Sequence, residues 1–181
     1  MLSINSGKIF QLAYIVPNID EAVAAWAKLT GTGPFVVIRH QQFVSAQYRG
    51  DATHIDVSLA FGFSGESNIE LIEVHGDTPC VYSDFVKRRG YGLQHIGVLS
   101  DDIDRDSDEL ASMGAAEIQR SVDTNQTETR FFDTEGSLGT TLELIRSSEA
   151  LRASFGQLKD MADAWDGKTA LIDMTPTSTA E

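Results

Sequence analysis

Apolar and polar residues follow the same order in two parts of the chain, 84 positions apart. Residues 11–20 read QLAYIVPNID, and residues 95–104 read HIGVLSDDID. Each stretch predicts a buried strand, a polar turn and the start of an amphipathic helix, because an apolar run gives way to helical spacing after a capping residue. A second pair of similar segments, NIELIEV at 68–74 and TLELIRS at 141–147, adds a last strand to each part. The repeat therefore predicts two copies of one supersecondary unit.

The segments between these repeated stretches complete two βαβββ modules. In the first module, a helix after Asn18 is followed by PFVVIRHQQFVS, THIDVSLAFGF and NIELIEV, which are rich in β-branched and aromatic residues. The second has a helix from about Ile103 to Met113 and then AAEIQRSV, ETRFFDT and TTLELIR. We predict an α+β fold in which both modules form one domain around an enclosed cleft, because a single helix covers only one face of each sheet. The expected divisions are a first module at 8–75, a linker at 76–91, a second module at 92–147, a C-terminal amphipathic helix at 149–166 and a flexible tail at 167–181.

The predicted C-terminal helix carries one apolar stripe. Its members, spaced three or four positions apart, are Leu151, Phe155, Leu158, Met161 and Trp165. The stripe packs either on its own domain or on a partner subunit, and from it we expect a homodimer.

Composition and net charge limit the classes of binding partner and the cellular compartment that we expect. The net charge of −13 disfavours nucleic acid and anionic membranes, because each phosphate contact needs a lysine or an arginine. Cys80 is the single cysteine, which excludes an internal disulfide and a zinc cluster of thiolates. No stretch reads as a signal peptide or as a membrane span, so we expect a cytoplasmic protein.

Four polar residues occupy matching places in the two modules. Gln11 and His95 lie in the first strands, and Glu70 and Glu143 lie in the last strands. Strand alternation turns each glutamate away from its apolar neighbours, toward the far side of its sheet. If that side lines the cleft, the charge needs a partner, and a cation is the obvious one. Two carboxylates, one imidazole and one amide oxygen suit one divalent ion, namely Zn, Ni, Co, Mn, Fe or Mg.

Further residues are candidates for contact with a substrate. In THIDVSL, alternation is expected to turn Ile55, Val57 and Leu59 toward the helix and the intervening polar residues toward the cleft. His54 and Asp56 are then auxiliary acid/base groups or a hydrogen-bonded pair in the cleft wall. Aromatic residues that shape an apolar pocket, or belong to the plain core, are Tyr14, Phe35, Tyr48 and Phe132. The long segment around Tyr48 favours a small-molecule substrate that is partly apolar.

The segments QLAYIVPNIDEAVAAW, NIELIEV, LQHIGVLSDDID and FFDTEGSLGTTLELI resemble the vicinal-oxygen-chelate superfamily over about residues 8–147. This superfamily includes glyoxalase I, methylmalonyl-CoA epimerase, extradiol dioxygenases and drug-resistance proteins. The sequence of these segments is most similar to the branch that contains methylmalonyl-CoA epimerase and glyoxalase-like proteins. The resemblance implies that Gln11, Glu70, His95 and Glu143 are the metal ligands. Their order resembles that of zinc-dependent glyoxalase I of eukaryotes, whereas the epimerases have histidine in the first strand and glutamine in the fourth.

The same resemblance implies a metal-dependent isomerase, epimerase or lyase that removes a proton next to a carbonyl group. Glu143 is the implied base, with Glu70 second. The alternative is a metal-free protein that binds or sequesters a small molecule in the same cleft. A third possibility, an Fe(II) dioxygenase, requires a second histidine ligand, which would be His54 or His40.

Overall fold

The computed structural model describes residues 9–176, and its strands form one mixed, 11-stranded sheet. The strands are β1 (Gln11–Val16), β2 (Phe35–Ile38), β3 (Phe43–Tyr48), β4 (Asp51–Ala52), β5 (Val57–Ser64), β6 (Ser67–Val74), β7 (Gly92–Ser100), β8 (Ala116–Asp123), β9 (Glu128–Asp133), β10 (Thr141–Arg146) and β11 (Leu171–Asp173). The helices are α1 (Ile19–Thr30), α2 (Val81–Arg89), α3 (Ile103–Ser112), α4 (Glu135–Leu138) and α5 (Glu149–Asp163).

The two modules lie side by side in this sheet. The strand order is β11-β2-β5-β6-β1-β7-β10-β9-β8-β3-β4, so β2, β5, β6 and β1 form one half and β7, β10, β9 and β8 form the other. The first strands of the two modules, β1 and β7, pair in the middle in antiparallel orientation. The predicted α+β class and the C-terminal helix are confirmed.

The segment PFVVIRHQQFVS forms two strands instead of the single one that its composition predicts. β2 pairs with β5 inside the first module, but β3 crosses to pair with β8 of the second module. The chain turns between them at His40, which has a φ of +48°. β3 thereby covers the backbone donors and acceptors of β8, which would otherwise form an exposed sheet edge.

Helices α1 and α3 cover corresponding outer faces of the two halves. Asn18 begins α1 by accepting a hydrogen bond of 2.9 Å from the backbone N–H of Glu21, and Asp102 begins α3 in the same way. The buried residues of α1, Ile19 and Val23, pack in a core cluster with Phe35, Val37, Ala60, Ile69 and Leu71. The buried apolar residues of α3, Ile103 and Leu110, pack with Phe132, Leu142 and Leu144. The repeated sequence therefore gives repeated packing.

The inner faces of the two halves meet around helix α2, which belongs to the predicted linker. Tyr82 and Phe85 of α2 are buried in one cluster together with Ala13, Ile15, Tyr48, Val57, Ile72 and Phe131. These partners come from both modules. The region predicted as a cleft is thus packed with side chains beside α2.

The orientation of β5 is the reverse of the one expected from alternation. Leu59 lies opposite Ile72, and Ile55 and Val57 join the inner cluster. The expectation assumed that apolar residues face the helix and polar residues face the cleft. It was wrong because the inner face of this half is itself an apolar core, which takes Ile55 and Val57.

The C-terminal segment packs on its own chain. The Phe155 ring of α5 contacts Phe10, Phe61 and Phe63 at centroid distances of 4.8, 6.1 and 6.4 Å. The homodimer expected from the α5 stripe stays a prediction. Leu171–Asp173, expected in the flexible tail, instead form β11, because their backbone pairs with β2 in parallel orientation; residues 177–181 lie outside the described part. Within residues 9–176, none of the helices combines the length and apolar composition needed to cross a bilayer.

Candidate metal centre

The pairing of the central strands brings the four candidate ligands to one place. Glu70 lies beside Ala13, and Ala13 lies opposite His95. Gln11 and Glu143 both lie beside Gly97, one from each neighbouring strand. All four side chains are buried: the exposed fractions are 2% for Gln11, 6% for Glu70, 0% for His95 and 5% for Glu143.

His95 lies between the two carboxylates. Its Nε2 atom is 3.1 Å from Oε2 of Glu143 and 3.3 Å from Oε2 of Glu70. Neither contact has the direction of a hydrogen bond, so Nε2 is a buried nitrogen without a hydrogen-bond partner. The other ring nitrogen, Nδ1, is 2.6 Å from Oε1 of Gln94. With Nδ1 donating to this amide oxygen, Nε2 is the nitrogen that can give up its proton and bind a metal ion.

A chain of hydrogen bonds sets the orientation of the Gln11 amide. The side-chain nitrogen of Asn68 donates to the carbonyl oxygen of Gly62 at 3.0 Å, which leaves Oδ1 of Asn68 as an acceptor. The side-chain nitrogen of Gln11 donates to that Oδ1 at 2.9 Å. Oε1 of Gln11 is thereby turned away from Asn68, and it is buried without a hydrogen-bond partner. A buried, unpaired amide oxygen is costly unless it meets a cation or another donor.

Gly97 makes the room that the Gln11 side chain occupies. A Cβ atom at position 97 would lie 2.8 Å from Oε1 of Gln11, 3.0 Å from its Cβ and 3.2 Å from Cδ1 of Ile145. Any larger residue would displace the amide. The glycine therefore allows the amide of β1 to lie over β7, two residues from His95.

The electrostatics of the cluster are dominated by burial and by its two carboxylates. Burial raises the pKa of Glu70, and the histidine contact only partly offsets this effect. Burial disfavours the charged imidazolium, but Glu143 and Glu70 outweigh it and raise the pKa of His95 to about 9. Burial also raises the pKa of Tyr82 well above its usual value, and the nearby carboxylates add to that effect. Because burial disfavours ionised carboxylates, a divalent cation beside them would stabilise their charged form.

The donor set fits such an ion. One imidazole nitrogen and carboxylate and amide oxygens are the mixed donors that zinc and the harder divalent ions take. Of the four buried side-chain atoms without a partner among the described residues, two belong to this cluster, Gln11 Oε1 and His95 Nε2. The other two lie on Gln119 and Ser147.

The predicted substrate-contacting residues are dispersed. The Tyr14 ring lies 5.2 Å from the Trp26 ring of α1 in a tilted arrangement, and Phe35 and Phe132 lie in the clusters beneath α1 and α3. His54 is exposed, and Asp56 pairs with His40 at 2.7 Å. Tyr48 alone joins the inner cluster, where its hydroxyl donates to Asp84 at 3.0 Å. The structure does not bring these six residues together with the four candidate ligands.

Sequence reasoning missed the residues that support the cluster. Asn68 and Gln94 orient Gln11 and His95, and the Phe131 ring lies edge-on to His95 at a centroid distance of 5.2 Å. Asn68 and Gln94 neighbour the candidate ligands along the strands, so a search for amides beside them would have found both.

A cavity of about 190 Å³ opens near the cluster. Its lining includes Tyr48, Val81 and Thr141. Thr141 of β10 lies directly beside His95 of β7. Arg88 lines it as well and is paired with Glu135 at 2.9 Å. The cavity therefore approaches the cluster from the side of α2 and β10.

A model of the Glyoxalase/Bleomycin resistance protein/Dioxygenase superfamily matches residues 10–132, more than half of the chain. The chain belongs to this superfamily. The membership confirms the resemblance read from the repeated segments. No protein of curated function matches the sequence.

Solved structures similar to this superfamily member include methylmalonyl-CoA epimerases. A hypothetical protein from Bacillus halodurans has a TM-score of 0.58 at 19% identity, over 78% of this chain and 95% of the other. Methylmalonyl-CoA epimerase from Mycobacterium tuberculosis has a TM-score of 0.56 at 18% identity, over 80% and 90%. The Streptomyces coelicolor epimerase in complex with 2-nitronate-propionyl-CoA has a TM-score of 0.55 at 16% identity, over 78% and 97%. At these identities the likeness shows a shared fold.

Proposed function

We propose that this protein is a divalent-metal-dependent isomerase or epimerase, or a lyase, that removes a proton next to a carbonyl group. The observation that carries the proposal is a pair of buried atoms without a hydrogen-bond partner, Gln11 Oε1 and His95 Nε2, beside two buried carboxylates. Gln11, Glu70, His95 and Glu143 would hold the ion. A bound divalent ion would supply Lewis-acid polarisation of the substrate oxygens, which makes the neighbouring C–H more acidic.

The protein groups have separate tasks in this proposal. Glu143 is the first candidate for the base that takes the proton, and Glu70 is the second. Phe131 and Tyr82 exclude water from the cluster, because both are buried against it.

The substrate is a small molecule with an acidic hydrogen next to a carbonyl. Acyl thioesters with a branched α carbon are the first candidates, because several structural neighbours are methylmalonyl-CoA epimerases. We place its entry at the cavity beside Thr141. The four ligands are almost inaccessible, so side chains of α2 have to move for a substrate to reach them.

Replacement of Glu143 by glutamine tests the base. The amide keeps the size and one potential oxygen ligand, but it cannot take a proton at catalytic pH. With the metal content measured in parallel, solvent-deuterium exchange into branched acyl thioesters should fall about 100-fold or more. Glu66→Gln is the matched control, because the Glu66 side chain is 95% exposed. Undiminished exchange by a metal-loaded Glu143→Gln protein would remove Glu143 from this role.

Assays with and without a chelator distinguish the proposed metal-dependent enzyme from the alternative, a metal-free binding protein. If the wild-type protein shows no exchange and binds test compounds with a rise in melting temperature that a chelator leaves unchanged, the protein is a metal-free binder. Exchange that a chelator abolishes and added metal restores supports the enzyme.

A further inference from the structure

A second group of metal-ligating side chains lies on the outer face of the first module. His40 follows β2, Asp56 precedes β5 and His75 follows β6. Because β5 runs antiparallel to both β2 and β6, these three positions fall at the same end of three neighbouring strands. We propose that His40, Asp56 and His75 form a second divalent transition-metal site, separate from the central cluster.

The three side chains are already close enough to share an ion. One ring nitrogen of each histidine and one carboxylate oxygen of Asp56 all lie within 4.8 Å of one another. Nδ1 of His40 is 2.7 Å from Oδ1 of Asp56. The two imidazole rings stack at a centroid distance of 4.3 Å with an interplanar angle of 29°. Two imidazoles and one carboxylate, with water in the remaining position, are a ligand set that Zn²⁺ takes in proteins.

Buried and backbone groups hold this arrangement in place. Oγ of Ser58, a residue only 2% exposed, is 2.8 Å from Nε2 of His75 and accepts the backbone N–H of His40 at 3.2 Å. The backbone N–H of His75 donates to the carbonyl oxygen of Asp56 at 2.9 Å. A ligating histidine usually has its second nitrogen fixed by such an oxygen, and here that leaves Nδ1 of His75 for the ion.

The charge around this triad also favours a cation. Oε1 of Glu73 lies 4.0 Å from Nδ1 of His75, and its Oε2 accepts the backbone N–H of Ile19, the first residue of α1. Two carboxylates thus surround two imidazoles at a solvent-accessible edge, where His40 is 60% exposed. An ion bound there would join the ends of β2, β5 and β6, and it would stabilise the fold because the unfolded chain does not present the three ligands together.

The two sites lie on opposite faces of the sheet. Ser58 and Glu73 are directly opposite each other on β5 and β6, one position away from the pair formed by Leu59 and Ile72. Because side chains alternate between faces, the triad faces away from the side that carries Glu70. Binding at one site is therefore separable from binding at the other.

The test follows the imidazole signals of the full-length protein by ¹⁵N NMR while Zn²⁺ is added. The chain has only four histidines, so each ring can be assigned. We expect the signals of His40 and His75 to shift, with saturation at one further ion beyond any bound at His95, and the signal of exposed His54 to stay unchanged. Unchanged His40 and His75 signals at saturating Zn²⁺ would overturn the proposal and leave a hydrogen-bonded surface pair.

Matched variants test the second metal site without relying on the assignment of the histidine NMR signals. His40→Asn removes the imidazole, and asparagine tolerates the positive φ of this position. Zn²⁺ affinity of the second site should fall about tenfold or more in His40→Asn and stay within about twofold of wild type in the control His54→Asn. Circular dichroism in the absence of metal shows whether either variant has lost its fold. A folded His40→Asn protein with wild-type Zn²⁺ stoichiometry and affinity would also contradict the proposal.

Discussion

Replacement of Gly97 by alanine should disturb the central cluster through the Gln11 side chain, from a position that supplies no ligand itself. The new Cβ atom would lie 2.8 Å from Oε1 of Gln11 and 3.2 Å from Cδ1 of Ile145. The amide cannot move without losing its hydrogen bond to Asn68, and Ile145 lies in a packed strand. Overpacking of this kind costs about 1–3 kcal/mol. The lower backbone entropy of alanine in the unfolded chain offsets about 0.4–1 kcal/mol of that cost. The free energy of unfolding should therefore fall by roughly 1–2 kcal/mol.

Urea denaturation and isothermal titration with Zn²⁺ measure the two consequences of Gly97→Ala. Zinc affinity of the central site should fall by about tenfold, because the amide oxygen is displaced. Gly156→Ala is the control: nothing lies within 4 Å of a Cβ at this helical position, and alanine there should stabilise the protein by about 0.5–1 kcal/mol. Removing the clash with Gln11→Ala in the Gly97→Ala background should restore part of the stability but not the affinity. Wild-type stability and wild-type affinity in Gly97→Ala would refute the placement of the Gln11 oxygen.

Three further changes test other parts of the structure. Gln94→Leu removes the acceptor for Nδ1 of His95, and titration should show zinc affinity reduced about 10- to 100-fold with the fold retained by circular dichroism. For Glu128, burial raises the pKa, but hydrogen bonds of 2.6 Å from Arg130 and Arg146 outweigh it and lower the pKa below 4.5. The Glu128 carboxylate thus stabilises the fold above pH 4.5, and its contribution is lost as the pH falls through the lowered pKa. Glu128→Gln should cost about 1.5–3 kcal/mol at pH 7 and progressively less in acid, measured by denaturation at several pH values. Phe155→Ala should lower the unfolding free energy by about 2–3 kcal/mol, because the half-buried ring contacts Phe10 and Phe61; a neutral result would mean that α5 does not dock on β5.

The repeat made the two modules and the four candidate ligands predictable from the sequence. Matching positions in two copies of one unit are brought close together when β1 and β7 pair, so Gln11 and His95 lie on paired strands, two positions apart in register. The start of α1 after Asn18 and the start of α3 at about Ile103 were also predictable, because helix-starting signals are local in sequence.

Features that depend on contacts between residues far apart in the sequence could not be predicted from it. Nothing in the apolar alternation of β3 says that it pairs with β8 of the other module. The orientation of β5 was misjudged because both of its faces are covered, and alternation shows which residues share a face but not which face meets α2. His40 and His75 lie 35 positions apart, and only the antiparallel order of β2, β5 and β6 brings them together.

The central claim is that Gln11, Glu70, His95 and Glu143 bind one divalent ion. A crystal structure of the zinc-loaded protein, with anomalous diffraction recorded at the zinc edge, tests it most directly. The account predicts one anomalous peak among the four side chains, with the nitrogen and oxygen ligands at about 2.0–2.2 Å. A peak confined to the triad of His40, Asp56 and His75, with the central cluster empty at saturating zinc, would contradict the claim.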